Sequence, residues 1–202
     1  MDEQQIRWGL SGGARVFAIA GFFWFGISFG IITTRFGWLA WSVSTAFQVA
    51  ITVSLVWATV VQRRRSGFSR ADLRRGSSQQ RAETARIVTA FGWTALGQGV
   101  LIGTAVWLCV HSGRNDLLWP AIGLITSLHF APLAQVFHVR AYYVTALAGS
   151  LISFAALVGL STALRLAWFG GGMAAVMWLS AWYVIRHANH IAARAGRERW
   201  AV

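Results

Sequence analysis

The chain is a succession of long apolar runs separated by short polar breaks. Six runs can be drawn, at residues 16–34, 37–61, 87–111, 117–139, 141–163 and 166–185. Each is close to the ~20 residues that carry a helix across ~30 Å of hydrocarbon. The apolar residues follow one another without the alternation of a barrel strand, so the runs read as helices. The pattern predicts an all-α fold, a polytopic transmembrane bundle of six helices, with residues 1–202 forming one domain. Small residues recur at helical spacing: Gly26 with Gly30, Gly99 with Gly103, and Ala141, Thr145, Gly149 and Ser153 along the fifth run. Gly170, Gly171 and Gly172 open the sixth. Such positions let helix backbones approach closely, and packing within one chain is the expected use of them.

Composition sharpens this picture. Of 202 residues, 56% are hydrophobic and 12% charged, against about 25% charged in a soluble domain. The class of enzyme built around a large aqueous fold is excluded. The basic residues are all arginine, 18 in number. With six runs, Arg7, Arg15, Arg63, Arg64, Arg65, Arg70, Arg74, Arg75, Arg81, Arg86, Arg140, Arg186, Arg194, Arg197 and Arg199 fall on one side. Arg35, Arg114 and Arg165 fall on the other. The positive-inside rule then predicts cytoplasmic N and C termini. An odd number of runs would destroy the split. The +12 charge accordingly points to topology and to anionic lipid headgroups at the cytoplasmic face, and not to nucleic acid.

The threading also arranges the tryptophans. Trp38, Trp41, Trp107, Trp119 and Trp168 fall near one interface, and Trp57, Trp93, Trp182 and Tyr183 near the other, as membrane anchors do. Trp24 and Trp178 lie deeper and are expected between helices. The basic loop at 62–86 offers a capping box from Ser69 to Asp72, a stop at Gly76, and helix formers from Ser77 onward that extend the third helix. The tail at 186–202 is expected to continue the sixth helix, with Trp200 dipping back to the interface. Cys109, the single cysteine, excludes an internal disulfide. The first run lacks a secretory cleavage pattern and is expected to be retained.

The inventory of reactive groups is short. Asp2, Glu3, Asp72, Glu83, Asp116 and Glu198 are the only acids, and none lies within a run. Intramembrane carboxylates are the usual carriers of protons and cations, so a carboxylate-based pump is not expected. Without lysine there is no Schiff-base chemistry. No P-loop, H-E-x-x-H or C-x-x-C occurs. His187 and His190 share a helix face, but two ligands fall short of the ~4 of a closed zinc site. No catalytic residue, metal or cofactor is expected.

The fourth run and its exit, residues 128–143, carry the candidate chemistry. At ~100° per residue, Gly123, Ser127, Ala131, Ala134 and His138 form a small, polar face with Gln135 at its edge. His129 lies nearly opposite, among Ile122, Ile125, Leu133 and Val136, close to mid-membrane. His129 and His138 are ~13 Å apart along the axis, too far to hold one ion. Pro132 deprives the Leu128 carbonyl of its helical donor and opens that turn. Two readings stand. A neutral His129 hydrogen-bonds across to Gln48, Gln98 or a hydroxyl, and Pro132 only bends the helix. Alternatively, the kink opens a polar cavity that admits a small ligand, water or a proton, with His138, Tyr142 and Tyr143 at its cytoplasmic mouth.

Leu128-His129-Phe130, Pro132-Leu133-Ala134, Phe137 and Tyr142-Tyr143 together resemble the signature of a family of small bacterial six-span membrane proteins, a domain of unknown function. The likeness covers about two runs. It implies an all-helical fold in the bacterial inner membrane, and it carries over no activity and no site residue. Three functional expectations follow from the chain itself. The first is the binding or passage of a small neutral or weakly polar molecule at the kinked fourth helix, with His129, Pro132, Gln135, Gln48 and Gln98 around it. The second is a scaffold or accessory subunit holding a protein partner or another copy of itself. The third, an intramembrane enzyme acting on a lipid or quinone, is weakened by the missing carboxylates.

Overall fold

The structure, a computed structural model, describes residues 3–66, 77–137, 139–159 and 161–199. All regular structure among them is helical. α1 runs Glu3–Ser66, α2 Ser78–His111, α3 Leu118–Phe137, α4 Arg140–Val158 and α5 Thr162–Arg199, with a 3-10 turn at Asn115–Leu117 ahead of α3. α1 is two rods. Gly37 has φ 73° and ψ −174°, a conformation open essentially to glycine alone, and the chain reverses there. Arg15 bonds to Thr59, and Gln48 bonds to the carbonyl of Phe22. These pairs sit almost symmetrically about Gly37, so the two arms run antiparallel. Among the described residues the bundle therefore has six rods.

Among the described residues, five stretches are long and apolar enough to cross a membrane: Gly37–Gln62, Ala85–His111, Asn115–Val136, Arg140–Val158 and Arg165–His190. The first arm of α1 adds Gly13–Ser28, apolar but shorter, and its helix continues to the Gly37 turn. Large apolar side chains cover the outside: Val16, Val53, Val88, Val100, Leu147 and Leu179 are each at least 60% exposed. Soluble monomers rarely expose contiguous apolar patches beyond a few hundred Å². This is the make-up of an integral membrane protein.

Helix ends follow local chemistry more than hydropathy. α2 begins at Ser78, nine residues before its apolar run, as the helix formers from Ser77 onward suggest, and ends in a Schellman motif. There Gly113 has φ 69°, its N–H bonds to Val110, and the Arg114 N–H bonds to Cys109. The fifth run extends to residue 163 by hydropathy, but α4 stops at Val158 because Gly159 closes it, bonding back to Ala155. α5 continues the sixth run to Arg199, as the tail predicts. The capping box at 69–72, Gly76, His138 and Trp200 lie outside the described residues.

In space the order is α1, α5, α4, α3, α2, with the most extensive interface between α1 and α5. Phe169, Met173, Met177, Ala181, Val184 and Ala188 are buried along one stripe of α5. Gly170 lies against the α1 backbone: a Cβ there would stand 2.7 Å from the Trp24 carbonyl and the Ser28 nitrogen. The Trp24 indole packs edge-on to Phe169 at 5.3 Å, and Trp24 and Trp178 are both buried, as their depth predicts. The small stripe of α4 is buried throughout, Ala141, Thr145, Gly149 and Ser153. Gly123 of α3 receives the Phe169 ring, and Gly149 receives the Ser127 hydroxymethyl group. Ser127 and Ser153 each point Oγ at Met173 Sδ, 3.9 Å away. Thr145 and Ser180 hydroxyls meet at 2.6 Å.

Gly99 and Gly103 behave differently from the expectation. A Cβ at either would meet nothing within 4 Å. The reason is rotational: α2 meets α3 through Ile87, Ala90, Thr94, Gln98, Ile102, Ala105 and Cys109, its half-buried stripe, and the two glycines stand about 100° round the helix from it. At the end of the bundle away from the Arg15–Thr59 contact, Arg165 at the start of α5 pairs with Asp116 in the 3-10 turn. This ion pair ties the entry of α3 to the entry of α5.

Gly170→Ala should lower thermal stability in detergent, since overpacking against a backbone costs about 1–3 kcal/mol. Gly171→Ala, where a Cβ meets nothing within 4 Å, should be neutral or stabilising by about 0.5–1 kcal/mol. Equal melting temperatures for the two variants would remove Gly170 from the α1–α5 contact.

Candidate functional site

α3 presents two faces to two neighbours. Gly123, Ser127, Ala134 and Phe130 are buried toward the core, with Ala131 half-buried. The other face, with Ile122, Thr126 and His129 half-buried, is turned to α2. Here Gln98 Nε2 donates to Thr126 Oγ1 at 3.3 Å. His129 lies one turn along from Thr126, and its ring is within hydrogen-bonding reach of the Thr94 backbone on α2. The Thr94 hydroxyl is used within its own helix, donating to the Ala90 carbonyl at 2.7 Å. Nδ1 of His129 is buried and has no hydrogen-bond partner. The α2–α3 seam thus holds a short polar row, Thr94 and Gln98 on one side and Thr126 and His129 on the other, inside an otherwise apolar contact.

The structure brings together His129 and Gln98 from the expected set and places the others apart. Gln48 is buried between the arms of α1, where it donates to the Phe22 carbonyl at 2.6 Å. Pro132 sits one turn from His129 and is exposed on a stripe with Leu128 and Gln135. Tyr142 is buried, stacked on Phe130 at 6.2 Å and tilted against Phe17 at 5.2 Å. Its hydroxyl occupies the space that a side chain at Gly13 would fill. Tyr143, the next residue round the helix, is exposed. Thr94 and Thr126 are the seam residues that the sequence reading did not name. Their signal was present as polar pairs at helical spacing, Thr94 with Gln98 at i, i+4 and Thr126 with His129 at i, i+3.

Two other histidines, His111 and His187, have ring contacts of their own. His111 bonds through Nδ1 to the Trp107 carbonyl at 2.9 Å and lies against the Trp107 ring. His187 stacks on Tyr183. Among the described residues, no three His, Cys, Asp or Glu side chains converge on a metal position. A neutral imidazole with a free buried nitrogen can accept one hydrogen bond or donate one. The polar row of the seam thus offers hydrogen-bonding groups and, among its described residues, holds no carboxylate or thiol.

No family model, curated protein or solved structure matches the chain. The functional reading rests on the residues themselves.

An unpaired buried polar atom costs about 1–3 kcal/mol. His129→Leu removes that cost together with the ring's contact to the Thr94 backbone, so the melting temperature in detergent should change little. A loss of several degrees would show that the imidazole stabilises the fold through a contact of its own.

Proposed function

We propose that this protein is a six-span protein of the bacterial inner membrane, with both termini in the cytoplasm, that binds or passes a small neutral or weakly polar molecule at the α2–α3 seam beside His129. The arginine split supports the orientation, and the arginine-rich face meets anionic headgroups. The observation that carries the functional reading is the buried, unpartnered Nδ1 of His129. Intramembrane ionisable residues are costly and mark ligand and proton paths. In this reading His129 supplies the polar contact, Gln98 and Thr126 line the seam beside it, and Pro132 weakens the helix one turn away. A ligand with both a donor and an acceptor, such as water, an alcohol or an amide, matches these groups.

The second reading, a scaffold or accessory subunit, has one observation in its favour. α2 contacts the bundle through a single stripe, none of its membrane-crossing window is fully buried, and Gly99 and Gly103 open outward. A partner helix or another copy of the chain would close on that face. The third, a lipid- or quinone-modifying enzyme, gains nothing from the exposed Tyr143 and the buried Tyr142, which do not share a site.

Purified protein in liposomes should pass water, glycerol or urea faster than empty liposomes, as read by stopped-flow light scattering. His129→Ala should change that flux several-fold. Equal flux in both proteins, at equal incorporation, would remove His129 from any pathway and leave the scaffold reading in front.

A further inference from the structure

A second polar cluster lies between the two arms of α1 and shares no residue with the seam at His129. Arg15, half-buried on the first arm, donates from Nε to Thr59 Oγ1 at 2.7 Å, and a terminal nitrogen reaches the Thr59 carbonyl at 3.5 Å. Thr59 is fully buried, and its own hydroxyl donates to the Val56 carbonyl. The guanidinium is thus fixed by neutral acceptors. Among the described residues no carboxylate pairs with it, and the ion pair they contain, Arg165 with Asp116, involves other elements. Two of its five N–H donors are engaged.

Gln62 stands one turn further along the second arm. It is 5% exposed, and neither its amide nitrogen nor its amide oxygen has a hydrogen-bond partner. Thr59 and Gln62 are at i, i+3 and share a helix face, the face that Arg15 reaches across to. A buried amide with both ends unpaired, beside a half-buried cation without a counter-charge, is poorly satisfied by the chain alone. One kind of ligand answers both deficits. The oxygens of a phosphate accept from the guanidinium and from Gln62 Nε2, and a hydroxyl on the same ligand donates to Gln62 Oε1.

We propose that Arg15 and Gln62, with Thr59 positioning the guanidinium, form a binding site for a phosphate-type anion between the arms of α1. The apolar stretches Gly13–Ser28 and Gly37–Gln62 both reach their polar ends here, which is the level of lipid headgroups. A phosphodiester headgroup bearing a hydroxyl is one source of this ligand, and soluble inorganic phosphate is the other.

Native mass spectrometry of the detergent-solubilised protein tests the site, with phosphatidylglycerol and phosphatidylcholine of matched chains added in parallel. A hydrogen bond to a charged group is worth about tenfold in affinity. The wild type should retain phosphatidylglycerol about tenfold over phosphatidylcholine. Arg15→Gln and Gln62→Leu should each abolish that preference, while Arg64→Gln, at an exposed neighbouring arginine, should preserve it. Gln62→Leu keeps the volume and removes the unpaired amide, so it reports on binding in a folded protein. An excess of inorganic phosphate separates the sources: displacement of the lipid assigns the site to the free anion, and its persistence assigns the site to the headgroup. Equal retention of the two lipids by the wild type, with no thermal stabilisation by inorganic phosphate, would overturn the proposal. So would an undiminished preference in both Arg15→Gln and Gln62→Leu.

Discussion

The missing side chain at Gly170 sets how the bundle is put together. Lipid chains are as apolar as leucine, so nothing hydrophobic drives one helix onto another within a bilayer. Association rests on close packing and hydrogen bonds. At Gly170 the backbone of α5 comes down onto the backbone of α1 at Trp24 and Ser28, and the neighbouring rings of Phe169 and Trp24 lock beside it. The same device repeats inward. Gly123 takes the Phe169 ring and Gly149 takes Ser127, so α3, α4 and α5 interdigitate around Met173. The Gly37 reversal delivers the second arm of α1 to the first, where Gln48 and Thr59 engage it by hydrogen bonds.

Polar groups inside this bundle are mostly silenced locally. Ser28, Thr94, Thr145 and Ser180 each donate to a carbonyl three or four residues back in their own helix. That removes the cost of burying a hydroxyl and leaves no group free to act. Against this background the unsatisfied atoms stand out. Thr52, Ser150 and Trp178 each lack one bond, a modest debt for a hydroxyl or an indole N–H. His129 differs because its ring can exchange donor and acceptor roles, and Gln62 differs because both ends of its amide are unpaired. These two positions are where a ligand would return the most free energy to the chain.

Much of the fold was legible in the sequence because hydropathy and glycine placement speak directly to membrane helices. The six rods, the helical extension before the third run, the continuation of the last helix, the buried stripe from Ala141 to Ser153 and the inward face of α3 all follow from residue pattern. What was not legible depends on rotation and on distant pairing. The outward turn of Gly99 and Gly103 is fixed by which stripe of α2 meets α3. Asp116 and Arg165 are 49 residues apart, and no local pattern announces their ion pair. Gln48 and Gln98 looked equivalent as partners for His129, yet the hairpin at Gly37 commits Gln48 to the Phe22 carbonyl, while α2, which carries Gln98, runs along the His129 face of α3. The candidate site was accordingly half visible. His129 and Gln98 belong to one seam, and Thr94 and Thr126 enter only once the helices are laid side by side.

The account depends most on α5 lying against the folded-back α1 inside the membrane, and cross-linking in native membranes tests this directly. In a Cys109→Ala background, Gly21→Cys and Trp178→Cys place two thiols where the Trp178 ring now touches Gly21. A short bifunctional thiol reagent should join them within one chain in high yield, and should leave a Gly21→Cys, Gly99→Cys pair unjoined. Failure of the first pair to join, or equal joining of both, would contradict the arrangement.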